Sequence, residues 1–497
     1  MLADGMTLLR RVRIVGERDS QELSDVLIVG ARVGLIAAAG SLAVDGAEII
    51  DLDGRYLVPG LWDYHVHMNQ WALSRRRVDL SGATSAAEVV GRIAQRVPAT
   101  ASAEILIGYG FRDGLWPDAP DRRLLDAVAP AAPVVLFSND LHCCWLNSAA
   151  LALVGQSDHA TGLLRELELL PVLERVQQTP ADLMDEWVGA AVQSVAARGV
   201  VGIVDLERAP NVDSWTRRAA AGSQQVRVVC GVYAEHLDQA IERGLRTGDV
   251  LPGTDGLVTM GPLKVITDGS LNTRTAYCHD PYPGLDATSE QYGLLVVPPE
   301  ELAPLMKRAG AHGIESAIHA IGDRAVGLAL DAFEQVGARG SLEHAQLVSS
   351  GDFARFAAND VVASVQPRHA IDDRAVADRH WAGRTDRAFP YRRLLDSGAT
   401  LALGSDAPVA PLDPWITMAA ATRRTADDQP SWHPEQELPR AASLAASTLG
   451  RTHVHAGTVA DLVVTELDPM TCTITELAEM PVAATMLDGK WTYRTEN

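Results

Sequence analysis

The chain has 497 residues, 47% of them hydrophobic and 22% charged. That is enough apolar material for one large domain with a smaller one beside it, and it excludes wholesale disorder. A formal net charge of −21 at pH 7 argues against nucleic acid and anionic membrane as partners, because both select basic surfaces.

Residues 7–57 predict short strands at 8–15, 25–29, 32–37 and 48–52, separated by Gly, Asp and Ser turns. The far end of the chain has the same character at 461–466, 472–474 and 484–493. The two ends are expected to share one composite β-sandwich, residues 1–57 plus 441–497, with the termini side by side.

Residues 58–440 alternate strand and helix patterns. A first apolar run ends at His65-Val66-His67. A stretch over about 72–195 follows, rich in helical patterning, with helices predicted at 86–96, 120–128, 148–153 and 180–198. Apolar runs then recur at 200–205, 226–233, 263–268, 315–319, 341–344, 361–366 and 401–406. With the run ending at His65 they make eight β-then-α units. The spacing predicts an α/β fold, a (β/α)8 TIM-like barrel whose strand C-termini carry the chemistry. Residues 72–195 then form an insertion after the first barrel strand, placed to cover the barrel mouth.

On a strand, residues at i and i+2 face the same side, so His65 and His67 can share a metal. Four more candidate ligands lie near the ends of later apolar runs: Lys264, His319, His344 and Asp406. Imidazole nitrogens with a carboxylate oxygen suit zinc or a similar divalent metal. An ordinary ammonium cannot ligate a cation. Lys264 is therefore either altered from that form at the site, or a barrel lysine paired with a carboxylate such as Asp268. Asp406 precedes Ala407-Pro408, a turn signal expected to aim its carboxylate into the barrel mouth.

Several segments carry a resemblance along nearly the whole chain. They are Val58-Pro59-Gly60-Leu61-Trp62-Asp63-Tyr64-His65-Val66-His67, Asp268-Gly269-Ser270 with Arg274-Thr275-Ala276, and His319-Ala320-Ile321-Gly322-Asp323. Glu343-His344-Ala345-Gln346, Ser364-Val365-Gln366-Pro367-Arg368-His369-Ala370 and Gly404-Ser405-Asp406-Ala407-Pro408-Val409 complete the set. In this order the chain resembles the amidohydrolase superfamily, and within it the family-3 branch of N-substituted formamide deformylase-like metal-dependent hydrolases.

The resemblance implies one or two divalent metals. His65, His67 and Asp406 would hold one, and His319 and His344 the second. Lys264 would bridge them as a carbamate formed with carbon dioxide. Asp406 would also move protons, as general base towards water and general acid towards the leaving nitrogen. His344 would help to stabilise the developing oxyanion. The implied activity is hydrolysis of a carbon–nitrogen bond in a small molecule, of the non-peptide amide or formamide type, through a metal-activated hydroxide. Ester, lactone or phosphoester hydrolysis, or an isomerase or decarboxylase step, are alternatives on the same scaffold, as is a non-catalytic assembly role.

Other residues divide less sharply. Asp140, His142, Trp145 and Asn147 follow the apolar run 134–137 and could either face the substrate or build a turn. Arg274 could bind a substrate carboxylate or form a surface ion pair. Arg368 and His369, at the seventh strand's end, are candidate pocket residues. His279, His312, His380, His433, His453 and His455 lack ligand spacing. One departure from the branch is Val204 in Gly202-Ile203-Val204-Asp205, where many relatives carry histidine.

Five cysteines, Cys143, Cys144, Cys230, Cys278 and Cys472, are scattered without a CxxC pair, the pattern of a reducing compartment. The first residues lack the features of a secretory leader, and no apolar run reaches the length of a membrane span. The expected location is the cytoplasm, and the expected partner is a small-molecule substrate, with a homo-oligomer compatible.

Overall fold

The computed structural model describes residues 5–16, 22–97, 105–176, 179–222, 225–285, 288–425 and 429–495. Apolar runs buried on both faces become parallel strands covered by helices. These strands are β1 (Leu61–Val66), β2 (Val200–Asp205), β3 (Arg227–Tyr233), β4 (Val258–Ile266), β5 (Ser316–Ala320), β6 (Gly340–His344), β7 (Val361–Val365) and β8 (Leu401–Leu403). They pair in chain order, giving the expected TIM-like barrel. The ring is nearly closed. Just beyond β8, the Asp406 amide donates to the His65 carbonyl at 2.7 Å and the His67 amide to the Ala407 carbonyl at 2.8 Å.

β4 starts at Val258, well before the apolar run at 263–268, because Gly261-Pro262 interrupts its pattern. Gly340 opens β6 at φ +142°, and a Cβ there would collide with the Ser316 carbonyl of β5. Only glycine allows those two strands to approach so closely at that point.

Both ends of the chain join one eight-stranded mixed sheet. Its order is Lys490–Arg494, Val482–Leu487, Leu462–Thr465, Tyr56–Pro59, Met6–Ile14, Ser24–Val29 and Arg32–Ala38, with Glu48–Asp51 alongside Met6–Ile14. Leu9, Val12, Ile28, Leu57, Leu462 and Met486 form part of its core. Two local expectations change. The predicted strand at 472–474 is instead the start of helix Ile474–Ala478, where Thr473 and Glu476 make a reciprocal capping box. The predicted strand at 484–493 is a hairpin that turns at Asp488-Gly489, both at positive φ.

The insertion after β1 contains more strand than its helical patterning suggests. A five-stranded sheet runs Leu163–Arg165, Cys143–Leu146, Val134–Ser138, Leu106–Phe111 and Val78–Asp79. The helices Ala86–Ala94, Arg122–Val128 and Ser148–Leu153 accompany it, and Ala181–Ala196 packs back against Met68–Ser74 beside β1. Among the described residues no helix is long and apolar enough to cross a membrane. All five cysteines are free, and all but Cys472 are buried.

Candidate metal centre at the barrel mouth

The C-terminal ends of the strands converge on one cavity of about 770 Å³. His65, His67, Lys264, His319, His344 and Asp406 all line it. His65 and His67 share a face of β1, and both turn towards Asp406: their Nε2 atoms lie 3.5 and 3.2 Å from its Oδ1. One ligand atom from each of these three residues falls within a sphere that a metal could occupy. His344, His369 and Asp406 form a second such group, so the Asp406 carboxylate is common to both. His369 Nε2 is 3.8 Å from Asp406 Oδ2.

The pairing of the second group differs from the one the resemblance implies, since His369 joins His344 within it. His319 stays close, its ring 4.4 Å from that of His344. His369 was expected only as a pocket residue. Pro367 starts helix Pro367–Asp372 directly after β7, and the first turn of that helix carries His369 into the centre.

The donor set fits a divalent metal on the structure's own terms. Nε2 of His319, Nδ1 of His344 and Nε2 of His369 are buried without hydrogen-bond partners, an arrangement that costs free energy unless something binds there. Burial, reinforced by Lys264 and neighbouring histidines, pushes the pKa of His319 and His344 well below the ordinary imidazole range. Both rings are therefore neutral and keep a lone pair, as ligation requires. Burial alone would raise the pKa of Asp406, but His65 and His67 outweigh it and hold the carboxyl well below its usual range. It is ionised.

Backbone strain is concentrated here. His344 has φ +77°, Ala345 +41° and Asp406 +59°, conformations that non-glycine residues adopt at a cost and that cluster at functional sites. At β6 the strain has a visible effect. Consecutive strand residues normally face opposite sides, yet Glu343 and His344 both reach His65. The Nδ1–H of His65 donates to Glu343 Oε2 at 2.7 Å, and the His344 ring lies 4.9 Å from the His65 ring. That bond holds the His65 proton on Nδ1 and leaves Nε2 unprotonated towards the centre. Glu343 thus orients His65, a role that its place in the motif Glu343-His344-Ala345-Gln346 does not by itself reveal. A buried carboxylate just before a ligand histidine was the available signal. Asp63 does related work within β1: its buried carboxyl, pushed up to about 7 by burial, accepts from the amides of Ser405 and His65.

Lys264 is buried with Nζ 3.4 Å from His65 Nε2. Burial pulls its pKa below the ordinary lysine range, while Glu343 and Asp406 oppose the shift. Asp268, the alternative partner, is occupied by the amides of Tyr277, Ile321 and Gly322 at 2.8, 3.0 and 2.9 Å.

The insertion brings Asp140 and His142 to the cavity wall. Asp140 accepts from Ser270 Oγ at 2.7 Å, which ties the insertion to the segment after β4. His142 Nδ1 lies 2.9 Å from Glu166 Oε2, and its ring is 5.7 Å from that of His319. Burial would lower the His142 pKa, but Glu166 and Asp140 raise it to about 9, so it is an imidazolium at neutral pH. Neither group of potential ligands includes a residue of the insertion.

Four residues that could have faced the substrate lie elsewhere. Trp145 is wholly buried in the insertion's own core. Its strand is buried on both faces, so alternation in the sequence could not choose a direction for it. Asn147 caps helix Ser148–Leu153 and bonds the carbonyls of Ala129 and Ala132, the structural option of the two. Arg274 and Arg368 do not line the cavity; Arg368 donates to Asp372 at 3.0 Å. At the end of β2, where the departure at Val204 stands, Asp205 accepts from Trp215 and Met68 as a structural staple. The buried Glu207 lines the cavity instead.

The arrangement has counterparts among known proteins. The chain is 29% identical to Protein LONG AFTER FAR-RED 3 of Arabidopsis thaliana, over 84% of this chain and 77% of that protein. It is 26% identical to the N-substituted formamide deformylase of Arthrobacter pascens, over 99% of this chain and 98% of that protein. An uncharacterized metal-dependent hydrolase from Pyrococcus horikoshii superposes with a TM-score of 0.77 at 26% identity, covering 95% of this chain and 99% of that one. The model of the amidohydrolase family matches residues 48–493. With its barrel, its ordered strand-end residues and its His/Asp centre, this chain belongs to the amidohydrolase family.

Proposed function

We propose that this protein is a metal-dependent hydrolase of a carbon–nitrogen bond in a small molecule, of the non-peptide amide or formamide type. The observation that carries the reading is the ionised Asp406 carboxylate shared by both groups of histidines. Similarity to a formamide deformylase over nearly the whole of both chains favours nitrogen as the leaving atom. His65, His67 and Asp406, with His344, His369 and His319, would hold one or two ions, zinc by the chemistry of the donors. When bound, such a metal supplies Lewis acidity and lowers the pKa of water. Asp406 accepts the proton that water gives up and returns it to the departing nitrogen. His344 faces the developing oxyanion, and Asp140 and His142 contact the substrate from the insertion.

The test is a panel of matched amides, formamides and esters run on protein of known metal content. Treatment with a chelator is expected to abolish turnover, and added zinc to restore it. Chelated protein free of metal that still turns over the amides would refute the reading.

Lys264 fits the same site as a carbamate bridging two ions. Its buried place beside His65 disfavours a free ammonium, and a carbamate would turn a buried base into an anionic ligand. Lys264→Ala is expected to lose metal and activity, with short carboxylic acids partly restoring turnover by supplying the missing oxygens. Mass measurement or electron density showing an unmodified ammonium in fully metallated protein would rule the bridge out.

A further inference from the structure

The cavity wall contains five arginines, Arg77, Arg112, Arg208, Arg217 and Arg218. Four have carboxylate partners: Arg112 pairs with Asp372, Arg208 with Glu235, and Arg217 and Arg218 with Asp185. Arg77 is the exception. Its Nε is buried without a hydrogen-bond partner. Its guanidinium lies over the Phe137 ring, 5.2 Å from the centroid, and among the described residues it forms no ion pair. Burial pulls its pKa down to about 10, and Tyr109 and Glu207 only partly oppose this. Glu207 cannot close on it cheaply. That carboxylate already accepts from the Gln70 amide at 3.0 Å, the Gln70 side chain at 3.2 Å and the Arg208 amide at 3.1 Å.

A guanidinium held in a largely apolar wall without a counter-ion is costly, and stacking on one phenyl face repays only part of the cost. Such a site is suited to a ligand that brings the missing charge. A planar guanidinium with free donors matches a carboxylate bidentately. The same cavity is lined by Phe111, Phe137, Leu141, Leu170 and Leu173, a wall for an apolar body. We propose that Arg77 is the specificity-determining residue of this enzyme, binding the carboxylate of an amide substrate whose remaining substituent is apolar, as in an N-acyl amino acid with a hydrophobic side chain. This rests on the reading of the centre as a carbon–nitrogen hydrolase. It would put selectivity in the insertion: Arg77 follows the helix Met68–Ser74 on the link from β1 into that segment.

The experiment compares N-acetylphenylalanine with N-acetyl-2-phenylethylamine, which has the same scissile amide and lacks the carboxylate. Metal-loaded wild type is expected to favour the acid by at least about tenfold in kcat/KM, the scale of a charge-assisted hydrogen bond. Arg77→Met should lose that preference while turning over the neutral amide within about threefold of wild type, and Arg77→Lys should recover part of it. A wild type without preference, or a variant that lowers both substrates equally, overturns the proposal. If neither amide is hydrolysed, the carbon–nitrogen reading fails on its own, and calorimetry decides the anion site separately. Binding of N-acetylphenylalanine to the metal-loaded protein should weaken at least about tenfold in Arg77→Met. No binding to wild type, or equal binding to both proteins, overturns it.

Discussion

Replacing His65 and His67 together by alanine is expected to abolish both metal content and hydrolysis. The two rings reach Asp406 from the same face of β1, at 3.5 and 3.2 Å, so the double variant removes two of the three donors of the first group at once. Loss of metal must be separated from loss of fold. His65 is buried, and its Nδ1–H is bonded to the buried Glu343. Truncation there leaves a buried carboxylate short of a partner, a change worth about 1–3 kcal/mol. His67 is less buried, and its side chain touches Asp406, so His67→Ala alone should keep the thermal transition near that of wild type while losing metal. The measurements are metal stoichiometry, turnover and unfolding temperature on the same preparations. Full activity in the double variant would sink the assignment of these residues to a metal.

How much of this was legible in the sequence follows from the kind of burial each element has. Barrel strands such as β5 are buried along their whole length, so they read as apolar runs. A polar residue that closes such a run stands out, which is how His319, His344 and Asp406 could be placed at the mouth. The five-stranded sheet of the insertion was hidden for the opposite reason. Its strands are short, and Leu106–Phe111 is interrupted by Gly108 and Gly110. Groups that act through a partner distant in sequence were also hidden. Glu343 gains its role from a bond to His65 across the barrel, and a left-handed residue at His344 breaks the alternation that would have pointed it outward. Arg77 stands out only once the partners of the other cavity arginines are known. Arg274 and Arg368 show the converse: the residue type suits anion recognition, but neither lines the cavity, and Arg368 is turned along its own helix to Asp372.

Asp406→Asn is expected to lose at least about a hundredfold in kcat, while the protein stays folded and retains part of its metal. The position of the residue is fixed from several sides. Its amide donates to the His65 carbonyl at 2.7 Å, and its carbonyl accepts from the Val409 amide at 2.8 Å. Its carboxylate is thereby held against His67 and His369. These restraints come from the backbone and neighbouring rings, so they survive the change to asparagine, whose carbonyl oxygen can still face the centre. What the amide cannot do is accept and return a proton. The strongly lowered pKa makes Asp406 a ready acceptor only in the sense that it is always ionised; by itself it is a weak base. Efficient transfer therefore depends on the water being acidified where it meets the carboxylate, and this ties the size of the effect to the metal content. The informative quantity is kcat divided by metal occupancy, measured on one sample with circular dichroism as a check on fold. A hundredfold loss at near-native occupancy assigns proton transfer to Asp406. A loss that scales with missing metal would make it a ligand alone, and near-wild-type turnover would end the role.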